Sequence, residues 1–187
     1  MHEATPIEGV SVLPLTTHPD ERGDFTELFR RGWVDVDFKQ WNIARSNAGV
    51  LRGVHVHKKH YDYIVVVEGE GFFGMRDLRR GSPTEGCTYN VTLTGDRMRV
   101  LRIPPGVAHG FCFVQPTVHV YGVSEYWNLA DELGCRYDDP DLGLRWPVAA
   151  PMISERDAAL PSLRSLLPNV PAWQPTVSAP ASQLVNR

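Results

Sequence analysis

Apolar residues along this chain fall in short runs and alternations rather than in helical periods. Val10 to Leu15, Gly49 to Val56, Tyr63 to Val67, Gly71 to Met75, Tyr89 to Leu93, Val100 to Ile103 and Val118 to Val123 each read as a strand. They are rich in Val, Ile, Tyr and Phe and lie between turn signals. Glycine and proline supply the punctuation, as in Gly81-Ser82-Pro83, Gly95-Asp96 and Pro104-Pro105-Gly106. The last of these turns launches a further strand, His109-Gly110-Phe111-Cys112-Phe113. No long stretch of the middle carries a helical period, and strand spacing this regular predicts a sandwich or a closed barrel. Helical signals are confined to the C-terminal third, where Ser154 to Leu160 predicts a short helix capped by Ser154. From Pro168 onward Pro, Ser, Ala and Thr dominate. We therefore expect one domain over residues 1–167 and an extended tail over 168–187, anchored by Trp173.

Composition narrows the function classes. With 187 residues, 42% apolar and 22% charged, the chain can bury a full core, whereas two independent domains would be cramped. A formal charge of -3 and a pI near 6.1 give no general attraction to phosphate backbones or acidic membranes, so neither nucleic acid nor a membrane is expected as a partner. Cys87, Cys112 and Cys135 are too few and too irregular for a disulfide framework or a zinc knuckle and are expected reduced. The N-terminus lacks a basic region followed by an apolar run, and no segment approaches the roughly 18 apolar residues of a membrane span; a cytoplasmic protein is expected.

The candidate chemistry lies in the histidines. His55 and His57 are one residue apart in a strand-like segment and project from the same face, because side chains alternate with period two. His119 and Tyr121 share a face in the same way. Closing the strands into a small barrel would gather His55, His57, His109 and Tyr121 around one cavity. His60 and His119 read as structural, and His2 and His18 as solvated.

From Asp20-Glu21-Arg22-Gly23-Asp24-Phe25-Thr26-Glu27 onward, a series of blocks resembles the dTDP-4-dehydrorhamnose 3,5-epimerase family. The others are Gln40-Trp41-Asn42, Gly49 to His55, Asp77 to Thr84, Pro105 to Phe111, Tyr121 to Tyr126, Asp139-Pro140, Trp146-Pro147 and Ser154 to Asp157, in the family's order over roughly residues 10–165. The resemblance implies an all-β cupin fold, a double-stranded β-helix or jelly-roll barrel, with short C-terminal helices. It further implies a homodimer, a nucleotide-sugar substrate and no cofactor. By position it makes His55 the general base, Tyr121 the acid on the opposite face and Asp157 the carboxylate that orients His55. Arg52 would sit on the diphosphate. Arg22, Glu27, Gln40 and Asn42 would grip nucleotide and sugar, some of them across the dimer interface. His109 and Tyr126 complete the implied substrate contacts. A hydrogen beside a 4-keto group is acidic because the carbanion delocalises as an enolate. Inverting that carbon needs a base on one face and an acid on the other, and a histidine with a pKa near 6.5 suits the first task.

One departure matters. Where the family carries a lysine thought to stabilise the enolate, this chain has Asp62, after a shortened loop Val56-His57-Lys58-Lys59-His60-Tyr61. A carboxylate cannot replace an ammonium beside a developing oxyanion. Lys58 or Lys59, folding back, is the candidate replacement, although consecutive lysines in a tight loop read more readily as solvated; the loss favours epimerisation at C3 or C5 alone over the double reaction. The spacing Gly49, His55-Val56-His57, Asp62, Gly69, with His109 after Pro104-Pro105-Gly106, also resembles the general cupin metal motif. It offers His55, His57, Asp62 and His109 to a divalent transition metal as an alternative reading. A non-catalytic nucleotide-sugar binder is the remaining class.

Overall fold

The computed structural model describes residues 3–175. In chain order its strands are β1 (Glu3–Ala4), β2 (Ser11–Pro14), β3 (Thr17–Asp20), β4 (Gly23–Thr26), β5 (Gln40–Ser46), β6 (Leu51–His57), β7 (Asp62–Glu68), β8 (Glu70–Asp77), β9 (Thr88–Thr94), β10 (Arg99–Ile103), β11 (Val107–Cys112), β12 (Thr117–Val123) and β13 (Glu132–Gly134). Two one-turn helices follow, α1 (Glu155–Ala158) and α2 (Leu163–Leu166). A six-stranded sheet, β1-β2-β10-β7-β12-β5, faces a five-stranded sheet, β13-β6-β11-β8-β9, and β3-β4 form a separate hairpin. This is the expected cupin-type jelly roll. Every strand read from the apolar pattern is present.

Strand β5 escaped that reading because it is turned inside out. Trp41 and Ile43 face outward, while Gln40, Asn42 and Ala44 are the half-buried positions, so its inner face carries no apolar signal. The predicted helix shrinks to one turn, Glu155–Ala158, with Ser154 Oγ accepting from the Asp157 N–H at 3.1 Å as its cap. Trp173 donates its backbone N–H to Arg80 O at 3.0 Å. The expectations for His2 and for the tail beyond residue 175 lie outside the described residues.

The central strands are buried on both faces. Ile64 and Val66 of β7 join Val12, Phe73, Met75, Leu93, Leu101 and Ile103 in the core between the sheets. Tyr63 and Val65, on the other face of the same strand, pack against Leu13, Val34, Phe38 and Val100. The unbroken run Tyr63-Ile64-Val65-Val66 follows from this double burial. Strand β6 divides likewise. Val54 and Val56 lie with Ala108, Cys135, Leu142, Leu163 and Leu166 under the C-terminal layer. His55 and His57 therefore point inward.

The turn from β7 to β8 depends on Gly69, whose φ of +79° is left-handed and whose Cβ position is blocked by the Pro116 carbonyl and Thr117. Gly69→Ala should lower stability by at least about 1–3 kcal/mol, read as a reduced urea midpoint at unchanged slope. An unchanged midpoint would contradict this account of the turn.

Candidate active site

Period-two alternation on neighbouring strands builds one cavity of about 470 Å³, lined by both polar and apolar side chains and within the usual size of a ligand site. Strand β6 contributes His55 and His57, β7 Asp62 and Ile64, β11 His109 and Phe111, and β12 His119, Tyr121 and Val123. Ile64, Phe111 and Tyr121 also touch the apolar core, so the cavity begins where that core ends.

His55 is held by the C-terminal segment. Leu51 N–H donates to Met152 O at 2.9 Å and Met152 N–H to Gly49 O at 2.8 Å, tying residues 152–157 to the start of β6. Asp157 then reaches inward, its Oδ1 2.8 Å from His55 Nε2 and its Oδ2 accepting the Gly53 N–H at 3.1 Å. Burial acts to raise the Asp157 pKa, but these bonds outweigh it and hold the carboxyl below its usual range. An ionised Asp157 fixes the proton on His55 Nε2 and leaves Nδ1 as the basic nitrogen. Gly53 is required here. Its φ is +114°, and a Cβ would meet the His109 carbonyl oxygen at 2.8 Å.

A second buried group lies beside it. Strand β13 pairs Glu132 with His57, and Glu132 Oε1 sits 2.7 Å from His57 Nδ1, although outside hydrogen-bond alignment. Glu132 Oε2 meets Arg156 Nη2 at 3.1 Å. On its other side, His57 Nε2 lies 3.4 Å from Asp62 Oδ2. His60 stacks on His57 with ring centroids 3.9 Å apart, and His109 Nδ1 is 3.0 Å from Val107 O.

Burial works against each charge in this group. It pushes Asp62 up to about 6, and together with repulsion from His57 it pushes His60 down to about 4 and His109 well below its usual value. His57 is the exception: burial would lower it, but Asp62 and Glu132 prevail and raise it. Glu132 resists burial through His57 and Arg156 and is held at about 2.

Several sequence expectations change here. His60 is not a bystander but lines the cavity, and Glu132, which no motif singled out, lies against His57. Only its place on a two-residue-repeat strand next to β6 could have found it. Lys58 does not fold back into the cavity: its ammonium donates to Ala130 O at 3.0 Å, and Lys59 pairs with Asp131. The four-ligand set is altered too, because His55 is committed to Asp157 while His60 joins His57 and Asp62. Arg52 lines the cavity with Nε on Ser46 Oγ, and Tyr121 faces it with its phenol pushed up by burial and then by Asp62. Arg22 and Glu27 stand outside it, paired with Asp20 and Arg30 on or beside the exposed β3-β4 hairpin. Gln40 bonds Asn42 and the Trp127 N–H, and Tyr126 is 71% exposed; none of Gln40, Asn42 and Tyr126 lines the cavity.

The profile of the dTDP-4-dehydrorhamnose 3,5-epimerase family matches residues 4–165. A dTDP-4-dehydrorhamnose 3,5-epimerase of Neisseria gonorrhoeae is 37% identical over 164 residues, covering 83% of this chain and 50% of that protein, so the chain spans about half the length of this relative. One from Mycobacterium tuberculosis is 35% identical over 185 residues, covering 91% of this chain and 92% of the relative. Among solved structures, a dTDP-6-deoxy-D-glucose-3,5-epimerase from Legionella pneumophila in complex with dTDP-4-keto-L-rhamnose superposes with a TM-score of 0.86 at 31% identity. The match covers 94% of this chain and 99% of that one.

His119 gives a pH test of the cavity wall. Burial, with Arg52 nearby, pushes it down to about 4, and its ring stacks on Phe113. The unfolded chain binds this proton near pH 6.5 and the folded chain only near 4. The neutral ring's contribution is therefore complete above pH 6.5 and lost as pH falls toward 4, about 3 kcal/mol in all. Thermal melts of His119→Phe should show a shallower fall in Tm across that window; an identical slope would refute the assignment.

Proposed function

The chain belongs to the dTDP-4-dehydrorhamnose 3,5-epimerase family, which makes it an isomerase, and from that premise we propose the residues and steps of its reaction. The substrate is a 4-keto-6-deoxy nucleotide-sugar, dTDP-linked, in deoxysugar biosynthesis. His55 Nδ1 takes the proton from a carbon flanking the 4-keto group, and the electron pair moves onto the ketone oxygen as an enolate. Tyr121 returns a proton to the opposite face of the same carbon, inverting it. The observation that carries this reading is the inward-facing His55–Asp157 pair on β6, with Tyr121 on β12 lining the same cavity. Asp157 stays ionised and stabilises the imidazolium that forms; the raised Tyr121 phenol stays protonated and ready to donate. Arg52 at the cavity wall suits the diphosphate. Neither proton transfer calls for a redox or group-carrying cofactor, since nothing is oxidised and no group is moved.

Proton NMR of dTDP-4-keto-6-deoxyglucose in deuterated water tests the mechanism. Wild type should exchange and invert at C3, C5 or both. His55→Asn should slow exchange by roughly 10²–10⁴-fold while nucleotide binding stays intact. Tyr121→Phe should lose inversion more than exchange, because abstraction does not use the phenol. Absence of exchange in the wild type would sink the proposal.

We also infer that Arg22 and Glu27 act on a neighbouring copy's site in a homodimer. Both stand outside their own cavity, next to exposed Phe25, which is 63% accessible. Co-expressing His55→Asn with Arg22→Ala should then restore about a quarter of wild-type sites, because each mixed dimer holds one intact pair. No restoration would place Arg22 in its own site or outside the reaction.

A further inference from the structure

We propose that His57, His60 and Asp62 form a binding site for one divalent first-row transition ion, at the wall of the cavity, with His109 beside it. These three side chains and the neighbouring His109 are buried, with exposures of 8%, 3%, 4% and 3%. Their polar atoms do not satisfy one another. His60 Nε2 and Asp62 Oδ2 have no hydrogen-bond partner, and a carboxylate removed from water this completely is normally neutralised, paired or bound to metal.

The spacings fit a coordination shell better than a hydrogen-bond network. His57 Nε2 and His109 Nε2 lie 3.4 and 3.7 Å from Asp62 Oδ2, and His60 Nε2 lies 3.8 Å from Asp62 Oδ1. Hydrogen bonds from nitrogen to oxygen fall at about 2.7–3.2 Å. Ligands bonded at about 2.1 Å to a tetrahedral ion stand roughly 3.4 Å apart. Donor atoms of His57, His60 and Asp62 all lie within 4.8 Å of one another.

Tautomers point the same way. Val107 O can only accept, so His109 Nδ1 carries the proton and Nε2 presents a lone pair. That lone pair faces the Asp62 carboxylate, two acceptors turned toward each other, an arrangement that a cation held on Asp62 relieves. Glu132 behind His57 Nδ1 is the outer partner that a metal-bound imidazole commonly has. Two imidazoles and one carboxylate, with coordination positions left open, suit Zn(II), Co(II), Fe(II), Mn(II) or Ni(II) rather than Ca(II) or Mg(II). The site stands on these contacts alone; only its use in the reaction rests on the proposed function. There the ion would supply, beside the enolate, the positive charge that Asp62 removes.

The test uses untagged protein stripped with a chelator and titrated with cobalt chloride, with no substrate present. One equivalent of Co(II) should bind with visible d–d absorption, and zinc should displace it in calorimetry. Asp62→Asn and His60→Gln, each checked for native circular dichroism, should weaken binding at least tenfold. His18→Gln, at an exposed position, should leave it unchanged. Sub-stoichiometric cobalt uptake, or equal affinity in all three variants, overturns the site. In that case a protonated His57 between Asp62 and Glu132 is the charge in the cavity. Turnover plays no part in this readout, so its failure leaves the epimerase proposal standing.

Discussion

Burial of both faces of β6 is the constraint from which the site follows. A strand inside a two-layer barrel, itself covered by a further layer, has no solvent face on which to put polar side chains. Val54 and Val56 meet that demand outward by packing under Leu163 and Leu166. The inward positions are His55 and His57, which must find partners or line a cavity. They do both. Because side chains alternate, anchoring the valines fixes the histidines; a one-residue slip would bury two imidazoles among leucines.

The covering layer then has a second duty. The segment that supplies Leu163 and Leu166 also supplies Asp157, and the short strand β13 next to Cys135 supplies Glu132. Apolar packing on the outside of the five-stranded sheet thus delivers the carboxylates to its inside edge. Asp157 is further specified by the Ser154 cap and by the Gly53 N–H, so its carboxylate has little freedom to turn away. A positioning carboxylate held by three independent contacts needs no long helix to carry it.

Much of this was legible from residues alone. The apolar runs marked the central strands because double burial writes itself as continuous Val, Ile and Tyr, and the His55-Val56-His57 alternation put two imidazoles on one face. Asp157 as the partner of His55 came from the resemblance, and the structure brings the two side chains to 2.8 Å. What stayed hidden depends on contacts between distant segments. β5 has its apolar residues outside, so no hydrophobic period announces it. Glu132 acquires its meaning from being paired across strands with His57. His60 looked like one more polar residue in a lysine-rich loop, yet the loop folds so that its lysines reach Ala130 and Asp131 while its histidine turns in.

That division of the loop reframes Asp62, which stands where the family resemblance implies a lysine. Exchanging an ammonium for a carboxylate changes local charge by two units, and in a low-dielectric cavity such a change is not left unbalanced. The chain answers it with imidazoles rather than with a neighbouring lysine. His57 lies between Asp62 and Glu132, His60 stacks on His57, and His109 presents a fixed lone pair. Lysine carries a compact charge on a flexible stem, whereas a histidine cluster carries a charge that depends on what it binds. On the proposed reaction, enolate stabilisation would be a property of the cluster's protons or of an ion bound to it. Because Glu132 is also tied to Arg156, one residue from Asp157, the cluster and the His55–Asp157 pair are joined through one short segment.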